Sequence, residues 1–244
     1  MLATVAASAG FLLLLRRIWS NELRRQHNDL IGWHVSVLGS TYAVIIGFML
    51  FAVWTNFEAA DTNAEAEADC LVNLVRCSRG LSTGGRAQVL SLSIEYANLM
   101  LLKEWPAMSR DEISPASRTT IGQLWATLLA TETHNDHEHV SLDHAVGELT
   151  KLTEYRRLRQ QQVKAYLPGI LWLVLILGAC VTIMSACLFG TSDFRLHLIQ
   201  VVMLALMISS VLVAIGDINR PFQGSVHVSP DGFERARATL TEIH

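Results

Sequence analysis

The chain has no surplus of basic residues: 19 lysines and arginines stand against 22 aspartates and glutamates, for a formal charge of −3. No basic stripe with interleaved aromatics runs along it. It therefore lacks the electrostatic footprint of a nucleic-acid binder, and that partner is excluded. Catalytic signatures are missing as well. There is no GxSxG elbow, no glycine-rich phosphate loop and no HExxH or CxxC frame, so the sequence reads as a non-enzyme without a cofactor. Only four cysteines occur. Cys70 and Cys77 lie two turns apart, about 10 Å by the helical rise, too far for a disulfide. Cys180 and Cys187 repeat that spacing in an apolar run, and all four read as small hydrophobes. Strand patterns, internal repeats and low-complexity segments are absent.

Charge itself is scarce. Charged residues make up 17% of the chain against 51% apolar, and the mean hydropathy is positive, a balance that points to lipid. Three stretches reach the roughly 20 residues needed to span a bilayer: Leu30 to Trp54, Leu167 to Gly190 and Leu196 to Ile215. A fourth, Leu2 to Leu15, is short, but Ile18 and Trp19 extend it if Arg16 and Arg17 snorkel. It makes a poor cleaved signal, with no basic residue before it and LLLLRRIW in place of a small-residue cleavage site. The expected architecture is all-α: four transmembrane helices in two pairs around a helical polar domain. Residues 1–56 hold the first pair, 57–166 the extramembrane domain, 167–217 the second pair, and 218–244 a tail near the membrane surface.

Within the polar domain, Leu71, Leu74, Val75 and Ser78 sit at helical spacing and prolong the second span into water. STGG is expected to break that helix. A second helix should end at Pro106, a third start with Ser114 as cap and Pro115 at its first position, and a fourth lead back to lipid. The run HNDHEHVSLDH offers His134, Asp136, His137, His139, Asp143 and His144, but no frame fixes a metal geometry. A solvated polar loop is the favoured reading, and no metal is expected.

The second span is more informative. Gly32, Ser36, Gly39, Ala43 and Gly47 recur at intervals of three and four, forming a smooth face on which another helix can approach closely. Thr41, Val44, Phe48, Phe51 and Thr55 make a bulkier line, which either meets lipid or faces the axis of a symmetric oligomer as an apolar constriction. His34 near the helix start reads as interfacial. After the last span, Asp217 and Arg220 are spaced to pair, and Pro221 stops the helix so that Phe222 anchors the tail. This exit segment is a structural clamp or an anion contact through Arg220.

The segments HNDLIGWHVSVLGSTYAVIIGFMLFAVW, EAEADCLVNLVRCSRGL, EYANLMLLKEWPAM, LPGILWLVLILGA and DINRPFQGSVHVSP, in this order, resemble the bacterial bestrophin-like domain family, and the likeness covers nearly the whole chain. That family is distantly similar to bestrophins, homopentameric anion channels with two pairs of spanning helices around a cytosolic helical domain. Asn219, Pro221, Phe222 and Gly224 resemble the bestrophin Asn-Pro-Phe-Gly segment, with Arg220 and Gln223 inserted. Where an acidic, calcium-holding run would follow, this chain has Ser225, Val226, His227, Val228 and Ser229, with Asp231 alone, so calcium gating is not implied. Phe48 and Phe51 are the nearest counterparts of the apolar residues that line bestrophin pores.

Charge does not settle orientation, because Arg16, Arg17, Arg24 and Arg25 oppose Arg156, Arg157, Arg159 and Lys164 across the membrane. The short-loop rule places the polar domain outside; the resemblance places it in the cytoplasm of a bacterium, and that orientation is adopted. The expected function is an oligomeric anion channel in the bacterial inner membrane, a pentamer whose partners are itself, the bilayer and small anions. The alternative is a membrane-anchored helical scaffold or sensor.

Overall fold

The computed structural model describes residues 1–243, and every regular element among them is helical. The chain divides into two compact units, Met1–Trp54 with Leu167–Asn219, and Thr55–Tyr166 with Arg220–His244.

The first unit contains α1 (Leu2–Ile18), a short α2 (Asn21–Gln26), the first part of α3 (Asn28–Cys77), α8 (Gly169–Cys187) and α9 (Phe194–Ile218). Three helices among the described residues, α3, α8 and α9, are long and apolar enough to cross a membrane. Helix α1 packs against α8 and α9, and its buried Leu12 joins Tyr42, Ala179, Ile183, Val201 and Ala205 in one apolar cluster. Ser20 caps α2 and Asp193 caps α9, each side chain accepting from backbone amides of the first turn.

The second unit contains the remainder of α3, then α4 (Thr83–Leu99), α5 (Trp105–Met108), α6 (Arg118–Leu129), α7 (Asp136–Gln162) and α10 (Asp231–Glu242). Its core runs through Leu71, Leu74, Tyr96, Met100, Leu124, Leu128, Leu149 and Leu152, and α10 adds Phe233 and Leu240. Three sequence expectations are corrected here. STGG does not end a helix: the break is a 3-10 turn at Ser78–Gly80, and Gly84 and Gly85 lie in the first turns of α4. Pro106 does not end one either, because a π turn at Met100–Glu104 comes first, and α5 carries the proline at its start, where no backbone donor is needed. The chain finally turns at Asp111, in the left-handed region at φ 68°. Ser114 is not the cap of α6, which begins at Arg118 because the amide and hydroxyl of Ser117 are drawn to Glu104 Oε1 at 3.1 and 2.6 Å.

Candidate functional site

Helix α3 differs from the other spans in how little of it the chain covers. Only 6% of its most apolar window is buried, against 28% for both α8 and α9. Phe48 and Phe51 are each 67% exposed and Val44 57%; Thr41 and Thr55 are exposed beside them. Four large or branched side chains in i, i+3, i+4 spacing thus share one outward face, with Thr41 at one end. On the small-residue face, an ideal Cβ at Gly39 or Gly47 would meet no atom within 4 Å, and one at Gly32 would meet only the Phe189 ring, at 3.7 Å. Ser36 and Ala43 on this face are also exposed.

The face of α3 opposite the bulky line is tied to α8 and to the turn after it. Asn28, its first residue, donates to Gly190 O at 2.8 Å and accepts from Gly190 N at 2.9 Å. Asn21 reads the next peptide the same way, donating to Thr191 O at 2.7 Å and accepting from Thr191 N at 3.0 Å. Between them, the buried Arg24 donates to Cys187 O, a carbonyl that the end of α8 leaves without a helical partner, and to Phe189 O in the turn after it. A side chain at Gly190 would collide with the Arg25 backbone amide. Farther along, Tyr42 donates its hydroxyl to Leu175 O at 2.9 Å, and its ring occupies the space where a Cβ on Gly178 would sit, 2.5 Å from two ring carbons. None of these contacts was anticipated from the sequence. An asparagine reading a distant peptide leaves no local pattern; the only available signal was an unexplained glycine in an apolar helix.

The exit segment falls in two parts. In the first unit, Asp217 lies on the last turn of α9, and the next cap, Asn219, accepts from Leu167 N at 2.9 Å. In the second unit, Arg220 donates to Gln223 Oε1 at 3.1 Å and stands 5.8 Å over the Tyr166 ring, whose hydroxyl bonds Asp111. Pro221 is buried and accepts from Val228 N at 2.7 Å. Phe222 is buried edge-on against Trp105, ring centroids 5.8 Å apart, and Trp105 in turn meets Phe233 at 6.0 Å.

The histidine run starts α7. Asn135 Oδ1 accepts from Glu138 N at 2.9 Å while Glu138 reaches back to His134 N at 2.7 Å, a reciprocal cap. No group of three or more His, Cys, Asp or Glu that could share an ion occurs among the described residues.

Sequence reasoning also missed a buried ionic network in the second unit. Arg159 donates to Glu67 Oε2 at 2.6 Å and to Glu104 Oε2 at 3.1 Å, with Met100 and Met108 sulfurs beside it. Arg156 donates to Glu104 Oε1 at 3.1 Å, and the Tyr96 hydroxyl bonds Glu67. Burial pushes the Tyr96 phenol well up, and the Glu67 charge adds to it. Burial also works to raise Glu104, but Arg159, Ser117 and Arg156 outweigh it and hold the carboxyl below its ordinary range.

An all-helical chain with three bilayer-length apolar helices, one of them largely bare, is a membrane protein. The family model for the Bestrophin-like domain matches residues 2–233, and the chain belongs to that family. A bacterial bestrophin homologue from Klebsiella pneumoniae carrying a point mutation superposes with a TM-score of 0.77 at 11% identity, covering 99% of this chain and 98% of that one. The same homologue solved by zinc anomalous phasing scores 0.70 at 14% identity, covering 99% and 98%. A point variant described as a membrane protein scores 0.71 at 13% identity over 99% and 97%. These likenesses are of fold. No curated protein matches the chain in sequence.

Proposed function

We propose that the chain is one subunit of a homo-oligomeric anion channel of bestrophin type, conducting passively through a pore lined by α3. The carrying observation is the exposed face of α3, on which Thr41, Val44, Phe48 and Phe51 stand together while the rest of the first unit packs behind them. One chain with so few spans cannot enclose a polar path. Copies arranged around an axis can, and family membership supports that arrangement, most simply as a pentamer. Apolar side chains ringed about such an axis stop ions by dewetting, so they serve as the constriction. The face of Gly32, Ser36, Gly39, Ala43 and Gly47 then receives the neighbouring copy.

In this reading α1 is the fourth span. Its 17 residues reach about 26 Å at 1.5 Å per residue, the short end of what a bilayer accepts. The site is the bacterial inner membrane, with residues 57–166 in the cytoplasm. Asp217, Arg220, Pro221 and Phe222 act as an exit clamp rather than as an anion site, a role supported by the partners that hold Arg220 and Phe222. The chain works as a channel, not as an enzyme.

The test is halide influx into vesicles loaded with a quenchable dye. Phe48→Ala and Phe51→Ala shorten the constriction and should raise influx above wild type. If wild type and both variants stay at the level of empty vesicles, the channel is abandoned and a membrane-anchored scaffold or sensor takes its place.

A further inference from the structure

Which residues α3 presents to a pore depends on its rotation about its own axis, and apolar side chains alone fix that rotation poorly, since they slide past one another at little cost. Two polar contacts do fix it. Asn28 holds the Gly190 peptide through both its amide and its carbonyl, at 2.8 and 2.9 Å. Tyr42 holds Leu175 O at 2.9 Å, its ring seated on the bare backbone of Gly178. At about 100° per residue, fourteen residues leave Asn28 and Tyr42 within about 40° of one face of the helix. Ile46 and Val53 fall on the same side and pack inward. By the same geometry Thr41, Val44, Phe48 and Phe51 are centred about 180° away, and the five small residues about 60° away.

We propose that Asn28 and Tyr42 are positioning residues that set the rotational register of α3, with Gly190 and Gly178 as their receptor sites, so that Thr41, Val44, Phe48 and Phe51 are presented together on the face away from α8. The proposal deepens the channel reading and rests on it for its functional meaning. A turn of roughly one residue, about 100°, would bring a different set of side chains to that face. Each contact resists such a turn because it is directional. An asparagine that pairs with both the N–H and the C=O of one residue loses both bonds when the helix rotates, and the Tyr42 ring has one glycine-sized recess to occupy. In the apolar interior a displaced hydroxyl finds no substitute partner, which makes the register discrete rather than continuous.

The experiment is a cysteine scan of α3 in the full-length protein, with Cys70, Cys77, Cys180 and Cys187 replaced by alanine and the protein in lipid vesicles. Each of Thr41→Cys, Val44→Cys, Ile46→Cys, Phe48→Cys, Phe51→Cys and Val53→Cys is reacted with a water-soluble thiol reagent and, separately, with a lipid-soluble maleimide. With both contacts intact, Val44→Cys, Phe48→Cys and Phe51→Cys should react several-fold faster than Ile46→Cys and Val53→Cys with at least one reagent. Adding Asn28→Ala together with Tyr42→Phe should bring that ratio toward unity, and Gly178→Ala, which drives the tyrosine ring from its recess, should act in the same direction. Tyr42→Phe alone keeps the ring and removes only the hydroxyl, so it tests the register even where Gly178→Ala misfolds. An unchanged ratio in the variants, or no ratio in the starting protein, overturns the proposal. The choice of reagent judges the channel separately: a fast face seen only by the lipid-soluble reagent would sink the pore while leaving the register in place.

Discussion

Arg159 Nε lies 2.6 Å from Glu67 Oε2, and neither side chain retains any exposure. Arg159 stands on α7 and Glu67 on α3, and Glu104 from the π turn closes the set at 3.1 Å. Two arginines, Arg156 and Arg159, thus answer two carboxylates, and hydrogen bonds from Tyr96 and Ser117 occupy other carboxylate lone pairs. A balanced, hydrogen-bonded group of this kind is tolerable in a core, whereas a broken one is not.

Arg159→Leu should therefore destabilise the second unit by about 3–5 kcal/mol, since it strands Glu67 in an apolar core and leaves Glu104 with Arg156 as its one cation. Denaturant unfolding in detergent, followed by the fluorescence of Trp105 and Trp125, measures it. A loss below about 1 kcal/mol, typical of an exposed pair, would mean that water reaches the network.

Acid should act through Glu104. Its folded-state pKa is held below the ordinary value of 4.5, so in acid the folded protein binds fewer protons than the unfolded chain. Its contribution is fully present above that ordinary value and is lost as pH falls through the lower, folded-state one. Glu104→Gln should be less stable near neutrality and show a flatter acid limb in a plot of stability against pH. Parallel acid limbs for the two proteins would refute the assignment.

The helical class, the apolar spans and the long continuation of α3 were legible because each rests on a periodicity that one chain segment carries alone. The exposed bulky line and the small-residue face were legible for the same reason. What sequence could not reveal was pairing across distance. By sequence Arg159 and Arg156 count as membrane-flanking charges, although Arg159 is a core residue and Arg156 half-buried, and Arg24 likewise serves the end of α8. Charge counting fails here because it assumes every arginine is in water. Pro106 and Ser114 misled for a related reason: local rules for helix ends were overridden by the π turn and by the pull of Glu104 on Ser117.

Phe222→Ala should cost about 3–5 kcal/mol, the range for a buried phenylalanine, because the side chain is 5% exposed and braces Trp105. Trp105→Phe, which keeps an aromatic ring, should cost less. The two losses should not add in the double variant Phe222→Ala, Trp105→Phe, since the residues touch. Strict additivity in thermal unfolding would show that the tail and α5 stabilise the unit independently.

Orientation is best read from an added thiol. Burial, followed by the charge of Glu148, pushes the Cys70 thiol up to about 12, and Cys77 is raised by the same causes, which disfavours the reactive thiolate of both at neutral pH. His139 is exposed on α7, so His139→Cys supplies a reactive reporter. With residues 57–166 in the cytoplasm, an impermeant maleimide should label it only after the cells are permeabilised. Ready labelling in intact cells would reverse the orientation.

The oligomer can be tested at positions where the isolated chain has room to spare. An ideal Cβ at Gly39 or Gly47 meets nothing within 4 Å, so a side chain can start there without a clash at its first atom, and replacing a mid-helix glycine gains up to about 1 kcal/mol of helix propensity. Folding of the subunit should survive Gly39→Leu with Gly47→Leu. Close approach of a second helix along the small-residue face should not, because each leucine fills the groove that the neighbouring backbone would occupy. Native mass spectrometry in detergent should therefore find wild type as an oligomer and the double variant as smaller species with unchanged helical content by circular dichroism. An unchanged assembly mass would show that Gly32 to Gly47 face lipid, and subunit contacts would then have to be sought elsewhere on the first unit.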